Sequence, residues 1–428
     1  MQHLRGLLGL VFLLAVAVAF SKNRRGIAWR TVVGALLLQA GFAALVLRWG
    51  PGRDALSWVS DRVTTLIGYT NQGTAFVFGP LTAAGSKNQT IFALQVLPVI
   101  VFLGALIGLL FYLRVIQFAT YVIGGAISWA LRVTKIESLF AATVIFLGQS
   151  EAPLMIAPYL RGLTTAQMFT VMTSGFAAAS GSTLVGYSLL GAPLKYLLAA
   201  TVMNAPAGLL MAKLVWPDST EERAARADGP DAASRSDEPD GEAATDVDVR
   251  TVRDEESANA IDALGRGALA GGRIAVTVGA LLIAFVALIA LANGILSGVG
   301  GWFGVDSLTF QRLVGWAFAP LAWLLGVPWS EAVQAGSYMG QKTVLNEFVA
   351  YASFGPHVHE LSSVTVVIVT FALAGFANFA SIAIQIGTIA SLQPDRRAQV
   401  ARLGLTALLA GSLANLANAA IAGIIAST

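Results

Sequence analysis

The stretch that most constrains this chain runs from Gly148 to Pro153, where an amide, a hydroxyl and a carboxylate interrupt a membrane-length apolar segment. The apolar run 139–147 precedes it and the apolar run 154–160 follows it. A charged side chain at the bilayer centre costs about 3 kcal/mol or more, so Glu151 is a candidate functional residue. Glycine before the cluster and proline after it predict a helix break, which membranes tolerate only inside protein or around water. The alternative is a solvated loop that holds an ordinary glutamate.

Composition restricts the class of protein. Of the 428 residues, 56% are hydrophobic and 12% are charged, which is typical of a polytopic membrane protein and not of a soluble enzyme. The absence of cysteine from the sequence excludes disulfides, thiolate catalysis and cysteine-ligated metals. No His-Glu-x-x-His pattern occurs, which argues against a zinc protease. Of the 24 acidic residues, 14 lie between Asp218 and Glu256, so the rest of the chain is basic.

Eight apolar segments are predicted as membrane-spanning helices, which makes the chain all-α. They are 7–20, 31–47, 91–113, 166–190, 194–215, 274–295, 364–386 and 403–425. Residues 53–69 have apolar side chains on one helical face, which predicts an interfacial amphipathic helix or a helix packed on a loop. Residues 310–325 are amphipathic or re-entrant, and the sequence leaves open whether 121–131 crosses the membrane.

Basic residues predict the orientation of the chain. The clusters at 22–30 and 396–402 indicate cytoplasmic turns, so both termini are predicted to lie outside a bacterial inner (plasma) membrane. The acidic segment 217–260 has too little apolar content to fold and is predicted to be a disordered cytoplasmic tether. A regulatory role for this segment is the alternative.

Two segments are predicted to form hairpins that are broken at the tip by an amide and a carboxylate. The first, 137–160, has a basic residue just before it and another just after it, so both ends are predicted on the cytoplasmic side and the hairpin is re-entrant. The second, 328–352, is centred on Asn346 and Glu347, and its ends are predicted on the opposite side.

An internal repeat relates the two hairpins. The triplet 175–177, Gly-Phe-Ala, follows the first hairpin, and the same triplet at 375–377 follows the second, with hydroxyl or amide groups one turn later in both. Small and hydroxyl residues interrupt the span 166–190 at 179–183, which favours either close packing or local unwinding around an ion. The pattern predicts an inverted repeat, as in secondary transporters with a midplane site.

The chain therefore divides into five predicted parts. Residues 1–135 form the N-terminal spans, interfacial helix and scaffold, and 136–216 form the first re-entrant hairpin, a broken helix and the following span. Residues 217–260 are the acidic tether. Residues 261–327 form a long scaffold span and an amphipathic helix, and 328–428 form the second re-entrant hairpin, a broken helix and the last span.

The hairpin tips and the helices after them supply a candidate site. Its side chains are amides, hydroxyls and carboxylates, which both accept and donate hydrogen bonds and suit a neutral polyhydroxyl or heterocyclic solute. They come from Gln149, Ser150, Glu151, Asn346, Glu347, Asn378 and Ser381. Phe376 is placed to stack on a flat ring, or else only packs between helices. No Arg or Lys other than Lys342 lies near either tip, so an anionic substrate would be repelled.

At these residues the chain resembles the concentrative nucleoside transporter family in its bacterial form. The resemblance extends from the first span to the last, apart from the acidic tether. It rests on Gly148-Gln149-Ser150-Glu151-Ala152-Pro153-Leu154, Pro158-Tyr159-Leu160, Gly175-Phe176-Ala177 with Gly181-Ser182, Asn346-Glu347-Phe348-Val349-Ala350-Tyr351, and Phe376-Ala377-Asn378 with Ser381.

The resemblance implies about eight transmembrane helices plus two opposed re-entrant helical hairpins, in an inverted-repeat transport domain of a homotrimer. It implies symport of nucleosides such as uridine, cytidine or adenosine by an elevator-like movement, with no cofactor and no nucleic-acid partner. Gln149, Ser150 and Glu151 would hold the nucleobase, and Phe376 would line its pocket. The ribose hydroxyls would bind to Glu347, Asn378 and Ser381, while Asn346 belongs to the same tip.

One departure from the family concerns the coupling ion. Sodium-coupled members place asparagine five residues before the motif glutamine, where this chain has Val144. A hard cation needs oxygen ligands, so one sodium ligand is missing. We favour proton coupling through Glu151 or Glu347. The alternative is a sodium site near Leu147 and Ser182, with Ser180 beside it.

Two other functions fit parts of the sequence. Polar residues inside a helical bundle also suit a passive channel or facilitator for small polar solutes, although a channel needs no inverted hairpins. Two carboxylates can serve as acid and base in an intramembrane hydrolase. The sequence offers no nucleophile or metal set for hydrolysis, so the chain is predicted not to be an enzyme.

Overall fold

The computed structural model describes residues 2–81, 91–219, 252–254, 256–302 and 308–427. In these ranges the regular structure is entirely helical. The α-helices are α1 (Gln2–Ala19), α2 (Trp29–Leu47), α3 (Gly50–Gly68), α4 (Thr70–Phe78), α5 (Phe92–Gln95), α6 (Leu97–Tyr112), α7 (Val115–Leu131), α8 (Lys135–Thr143), α9 (Thr165–Ala177), α10 (Gly181–Leu189), α11 (Leu194–Val215), α12 (Ala260–Trp302), α13 (Phe310–Leu324), α14 (Trp329–Val344), α15 (Glu347–Phe354), α16 (Ser363–Leu373), α17 (Phe379–Leu392) and α18 (Arg397–Ala426). The 3-10 helices are Arg24–Gly26, Ala152–Gly162, Gly355–His357 and Pro394–Arg396.

Six helical segments in the described ranges are long and apolar enough to cross a membrane, or seven if the bent pair α13 and α14 counts as one. The six are Trp29–Leu47, Phe92–Tyr112, Thr165–Leu189, Leu194–Val215, Ala260–Trp302 and Pro394–Ala426. Two predicted spans are not among them, because α1 is a shorter apolar helix and the span 364–386 is divided between α16 and α17. The pair α13 and α14 bends by 118° between the two helices.

The predicted span 364–386 is not one continuous helix. α16 ends at Leu373 and α17 begins at Phe379, so Asn378 lies before the helix as its N-cap. Its Oδ1 accepts a hydrogen bond from the backbone N–H of Ser381 at 2.9 Å, which satisfies a donor that the start of a helix leaves free. The spacing of Asn378 and Ser381 predicted a shared helix face. That prediction is wrong, because Asn378 lies before the helix begins.

The break predicted at 179–183 is present and starts slightly earlier. α9 ends at Ala177, and α10 begins at Gly181 after Ser180, whose Oγ accepts a hydrogen bond from the backbone N–H of Thr183 at 3.4 Å. Both halves of the repeat therefore contain a helix that stops, runs irregularly for a few residues and restarts from a side-chain N-cap.

The two predicted hairpins attach to opposite ends of α18. At the start of α18, the Arg396 guanidinium donates to the carbonyl oxygens of Arg161 and Leu163, where the first hairpin ends. At the other end, Gly423 lies beside the carbonyl of Leu325, which directly precedes the second hairpin. His3 also reaches this end, where its Nδ1 lies 3.2 Å from the Ile424 carbonyl oxygen.

A buried ion cluster lies at the start of the segment 137–160, which the sequence predicts as the first hairpin. Lys213, near the end of α11, forms ion pairs with Glu137 and Asp218, and all three side chains are buried. Glu137 also closes a capping box with Thr134 at the start of α8. Asp218 was assigned to a solvated tether on composition, and that assignment is wrong for this residue because it is buried and pairs with Lys213. Residues 220–251 and 255 of the tether lie outside the described residues.

α6 and α12 form a closely packed pair whose contact consists of glycines. A Cβ atom on Gly104 would lie 2.6 Å from the carbonyl oxygen of Gly267, and one on Gly271 would lie 2.6 Å from that of Ile100. Gly108 continues the same seam against Ala263. Small residues four apart let helix backbones approach closely, which is a common way for helices to associate in a membrane.

α3 packs its apolar face against α6, whereas the sequence predicted an interfacial helix or one packed on a loop. Its Ile67, with Val63 and Leu66 beside it, packs against Val99 and Leu103 of α6. α7 is a 17-residue helix between Arg114 and Arg132, so the segment 121–131 is part of a longer helix than the sequence indicated.

We expect Gly271→Ala to lower the apparent unfolding temperature of the purified protein, because overpacking a tight contact costs about 1–3 kcal/mol. Gly272→Ala is the matched control, since a Cβ atom there would meet no heavy atom within 4 Å. Both variants gain the same helix propensity, so their difference isolates the contact with α6. Thermal unfolding in detergent, followed by tryptophan fluorescence, measures it. Equal unfolding temperatures for the two variants would contradict the glycine seam.

Candidate functional site

The two helix breaks lie side by side in the interior. The backbone N–H of Phe376, in the second break, donates to the carbonyl oxygen of Ala178 in the first at 2.9 Å. The Asn415 side chain of α18 contacts both breaks. Its Nδ2 donates to the carbonyl oxygens of Ala177 at 2.7 Å and Ala374 at 3.3 Å. Carbonyls at a helix end lack their usual partners, and lipid offers none. Protein side chains therefore supply the missing donors.

Two more buried amides, Asn204 and Asn418, belong to the same hydrogen-bond network around the breaks. Asn204 of α11 donates from Nδ2 to the Ala374 carbonyl oxygen at 2.7 Å, and its Oδ1 accepts from Asn418 at 2.8 Å and from Asn415 at 3.2 Å. Sequence reasoning missed these three asparagines. Each interrupts a predicted apolar span, and that is the signal by which an intramembrane polar residue is recognised.

Lys342 is buried next to this network of asparagines. Its Nζ donates to the carbonyl oxygen of Ala372 at 2.8 Å and to Oδ1 of Asn415 at 2.7 Å. The Ala372 carbonyl belongs to the last turn of α16, where the helix dipole is negative and stabilises a positive charge. Lys342 therefore binds to α16 and α18, whereas the sequence suggested only a basic group near a tip.

Glu347 lies at the centre of the site, at the start of α15. Its Oε1 accepts a hydrogen bond from the Tyr187 hydroxyl at 3.1 Å, and its Oε2 accepts one from Nδ2 of Asn378 at 2.8 Å. The Tyr187 ring stacks on Tyr351 with centroids 4.5 Å apart and meets Phe348 edge-on at 4.8 Å. Tyr187 belongs to the first half of the repeat and Glu347 to the second, so this hydrogen bond joins the two halves.

Gln149 makes the second connection between the halves. Its Nε2 donates to Oγ of Ser381 at 2.8 Å, and its Oε1 accepts from Nε2 of Gln385 at 3.2 Å. The same Gln385 nitrogen donates to the backbone carbonyl of Met172 at 3.1 Å. Sequence reasoning missed both Tyr187 and Gln385. A polar residue on the inner side of an apolar run was the available signal for Gln385, whereas an aromatic residue such as Tyr187 gave none.

The remaining predicted residues lie near this network without hydrogen bonds to it. The Ser150 side chain is exposed, and Oε2 of Glu151 accepts from the backbone N–H of Gly148 at 3.2 Å. Asn346 caps α15, because its Oδ1 accepts from the backbone N–H of Val349 at 2.9 Å. Phe376 is buried in the second break. Among the hydrogen bonds of the described residues, none joins Glu151 to Glu347, so the two carboxylates do not share one hydrogen-bonded centre.

Hydroxyl groups cluster at the first break, where a sodium site was the alternative. Oγ of Ser180 lies 3.1 Å from Oγ of Ser182 and 3.1 Å from Oγ1 of Thr183. Val144 and Leu147 are both buried apolar residues. The described residues hold no group of three or more His, Asp or Glu side chains arranged for a metal ion.

Long apolar helices around a buried polar core define a multi-pass membrane protein, and comparison with known proteins gives the family. Models of the Na⁺-dependent nucleoside transporter match residues 8–81 (N-terminus) and 196–423 (C-terminus), and a nucleoside-recognition model named Gate matches 93–194.

Relatives match over almost the whole chain. An uncharacterized transporter of Bacillus subtilis, YutK, is 50% identical over 99% of this chain and 100% of its own length. The nucleoside permease NupC of Helicobacter pylori is 39% identical over 99% of this chain and 98% of its own. The structure of CNTnw in an inward-facing substrate-bound state is 45% identical, with a TM-score of 0.90 over 100% of this chain and 98% of that one. This chain belongs to the concentrative nucleoside transporter family, which is a family of permeases and not of enzymes.

We expect Asn415→Leu to destabilise the protein more than Asn418→Leu does. Asn415→Leu removes the donor to the Ala177 carbonyl and an acceptor of the buried Lys342, and each unsatisfied buried group costs about 1–3 kcal/mol, whereas the Ala374 carbonyl keeps its hydrogen bond from Asn204. Asn418→Leu is the matched control, because this fully buried amide one turn away donates only to the side chain of Asn204. Thermal unfolding in detergent provides the comparison. Similar losses in the two variants would contradict a special role for Asn415.

Proposed function

We propose that this chain is a cation-coupled symporter that imports nucleosides across the bacterial inner membrane by an elevator-type alternating-access mechanism. The observation that carries the proposal is the 2.8 Å hydrogen bond between Gln149 and Ser381, which joins groups from both halves of the repeat inside the protein. Membership of the nucleoside transporter family supports the substrate class. A passive facilitator for small polar solutes is the alternative, and the transport experiment separates the two.

The chemistry of the site supports a nucleoside as the substrate. The network of Gln149, Ser381, Asn378 and Glu347 offers amide, hydroxyl and carboxylate groups, which can pair with the hydroxyls of a sugar and the edge of a base. In our proposal the base is held by Gln149, with Ser150, Glu151 and Phe376 lining its pocket, and the ribose is held by Asn346, Glu347, Asn378 and Ser381. Uridine, cytidine and adenosine are the expected substrates.

The attachment of the two hairpins supports the mechanism. Residues 161–163 contact one end of α18, and Leu325, next to the second hairpin, lies at the other end. We therefore propose two opposed re-entrant hairpins among about eight spans, which move together with the broken helices. The glycine-seamed pair α6 and α12 would be the stationary scaffold of a homotrimer.

The side chains near the first break support a choice between the proton and sodium as the coupling ion. We propose protons, because Val144 and Leu147 are buried apolar residues. They flank Phe146, whose carbonyl oxygen accepts from the backbone N–H of Gly181 at the first break, and the hydroxyls of that break already bond to each other. The carrier would be Glu151 or Glu347. Sodium is the second candidate. The family model is described as Na⁺-dependent, and Ser180 and Ser182 place hydroxyl oxygens at that break.

Contacts between chain ends support the proposed orientation. His3 Nδ1 lies 2.9 Å from Oγ of Ser427, so both ends of the chain lie at the same end of the bundle. The basic residues Lys22, Arg161 and Arg396 lie near the opposite end, where Lys22 donates from its backbone N–H to the Val215 carbonyl. We propose that this basic end faces the cytoplasm and that both termini face outward.

Uptake into proteoliposomes tests the proposed function. We expect radiolabelled uridine to accumulate above its equilibrium level when an inward pH gradient is imposed alone, in sodium-free buffer. Accumulation with a sodium gradient alone would identify sodium, and not the proton, as the coupling ion. Uptake that stops at the equilibrium level under both gradients would favour the passive facilitator, and no uridine uptake would refute nucleoside transport.

Glu347→Gln is expected to weaken uridine binding about tenfold or more, since hydrogen bonds to a charged group contribute about 1.5–3 kcal/mol. The carboxamide cannot accept from both Tyr187 and Asn378 while keeping the same position, because one of its two polar atoms is a donor. Isothermal titration of the detergent-purified protein measures the affinity. Glu360→Gln is the control, because that carboxylate is exposed and pairs with His357. Wild-type affinity in Glu347→Gln would contradict the assigned role.

Val144→Asn is expected to make uridine accumulation respond to a sodium gradient, because it adds a side-chain oxygen ligand for a hard cation at the first break. Val144→Leu changes the side chain without adding oxygen and is the matched control. Proteoliposome uptake with a sodium gradient alone compares the three proteins. A Val144→Asn protein that remains insensitive to sodium would show that the missing ligand does not decide the coupling ion.

A further inference from the structure

The amide of Gln149 presents a donor at one end and an acceptor at the other, so its orientation decides which hydrogen bonds it offers to a ligand. Its neighbour Ser381 does not fix that orientation, because a hydroxyl can donate or accept. Gln385 alone does not fix it either, since a second amide can turn over together with the first. A third group is needed to determine the orientation of the pair.

The backbone carbonyl of Met172 is that group. It can only accept, so the atom of Gln385 that lies 3.1 Å from it must be Nε2 and not Oε1. The same Nε2 lies 3.2 Å from Gln149, so the Gln149 atom facing it must be the acceptor Oε1. Nε2 of Gln149 is therefore directed towards Ser381. The reverse orientation would set two carbonyl oxygens 3.1 Å apart in a buried environment, where a lost hydrogen bond is costly.

The backbone leaves room for this arrangement at one position. A Cβ atom on Gly175 would lie 2.7 Å from Nε2 of Gln385 and 3.5 Å from Cβ of Gln149. Gly175 belongs to the last turn of α9 and faces the site, so a larger residue would displace the Gln385 amide from Met172. The glycine therefore lets the two glutamines pack against the backbone of α9.

We propose that Gln385 is a positioning residue that fixes the orientation of the Gln149 amide and thereby determines which base edge a bound nucleoside must present. The inference rests on the proposed function, in which Gln149 faces the base. Uracil and cytosine are suitable probes. Uracil carries a donor at N3 and an acceptor at C4, whereas cytosine carries an acceptor at N3 and a donor at C4.

Two substitutions separate positioning from packing. Gln385→Met keeps an unbranched side chain of similar size and removes the donor, so the Gln149 amide is free to turn. Gln385→Glu reverses the orientation. An ionised carboxylate only accepts hydrogen bonds, so the Gln149 amide turns Nε2 to meet it. Gln393→Met is the matched control, because it makes the same exchange at the end of the same helix, away from Gln149.

The measurement is the ratio of the dissociation constants for uridine and cytidine, by isothermal titration of the full chain in detergent. We expect Gln385→Met to change this ratio about fivefold, the equivalent of one hydrogen bond. Gln385→Glu is expected to change it in the same direction and further, and Gln393→Met to leave it at the wild-type value.

The outcomes distinguish the inference from the function on which it rests. Equal weakening of both nucleosides in Gln385→Met and Gln385→Glu, with an unchanged ratio, would mean that Gln385 only packs, and would overturn the inference while leaving nucleoside transport intact. A wild-type protein that binds neither nucleoside would refute the proposed function and the inference together.

Discussion

Backbone carbonyls that end a helix inside a membrane need hydrogen-bond donors, and the interior of this protein is arranged to provide them. α9 and α16 both end in the apolar interior, and lipid provides no hydrogen-bond donor for their last carbonyl groups. Asn415 bonds to one carbonyl from each helix, and the backbone N–H of Phe376 joins one break directly to the other. Everything in the candidate site depends on these paired breaks, because α10 and α17 restart from them.

The paired breaks also explain why the polar side chains meet. The N-terminal ends of α10 and α17 place Ser180 and Asn378 at the centre of the bundle, and α15 brings Glu347 to the same level. Hydrogen bonds then cross between the halves of the chain, from Tyr187 to Glu347 and from Gln149 to Ser381. The two halves thus form one candidate site together, because Tyr187 and Gln149 of the first half find hydrogen-bond partners in the second.

Short motifs were enough to predict the family, the helical class and most of the residues that meet. Gln149, Glu347, Asn378 and Ser381 were found because a polar group in an apolar run is expensive and therefore conspicuous. The break at Asn378 was missed, because an N-cap and a residue inside a helix can have the same spacing to Ser381. Asp218 was placed in the tether because sequence composition does not reveal that its carboxylate pairs with the buried Lys213. The role of Gln385 depends on the carbonyl of Met172, and backbone atoms leave no trace in a sequence pattern.

The length of α12 has a mechanical consequence. At 1.5 Å per residue its 43 residues extend about 65 Å, and even the uncharged part after Arg273 is about 43 Å long, against a hydrocarbon core of about 30 Å. A helix whose apolar part is longer than the hydrocarbon core is accommodated by tilting, by kinking or by a local thickening of the bilayer. α6 packs against α12 along the glycine seam. The two helices therefore accommodate the excess length as one unit.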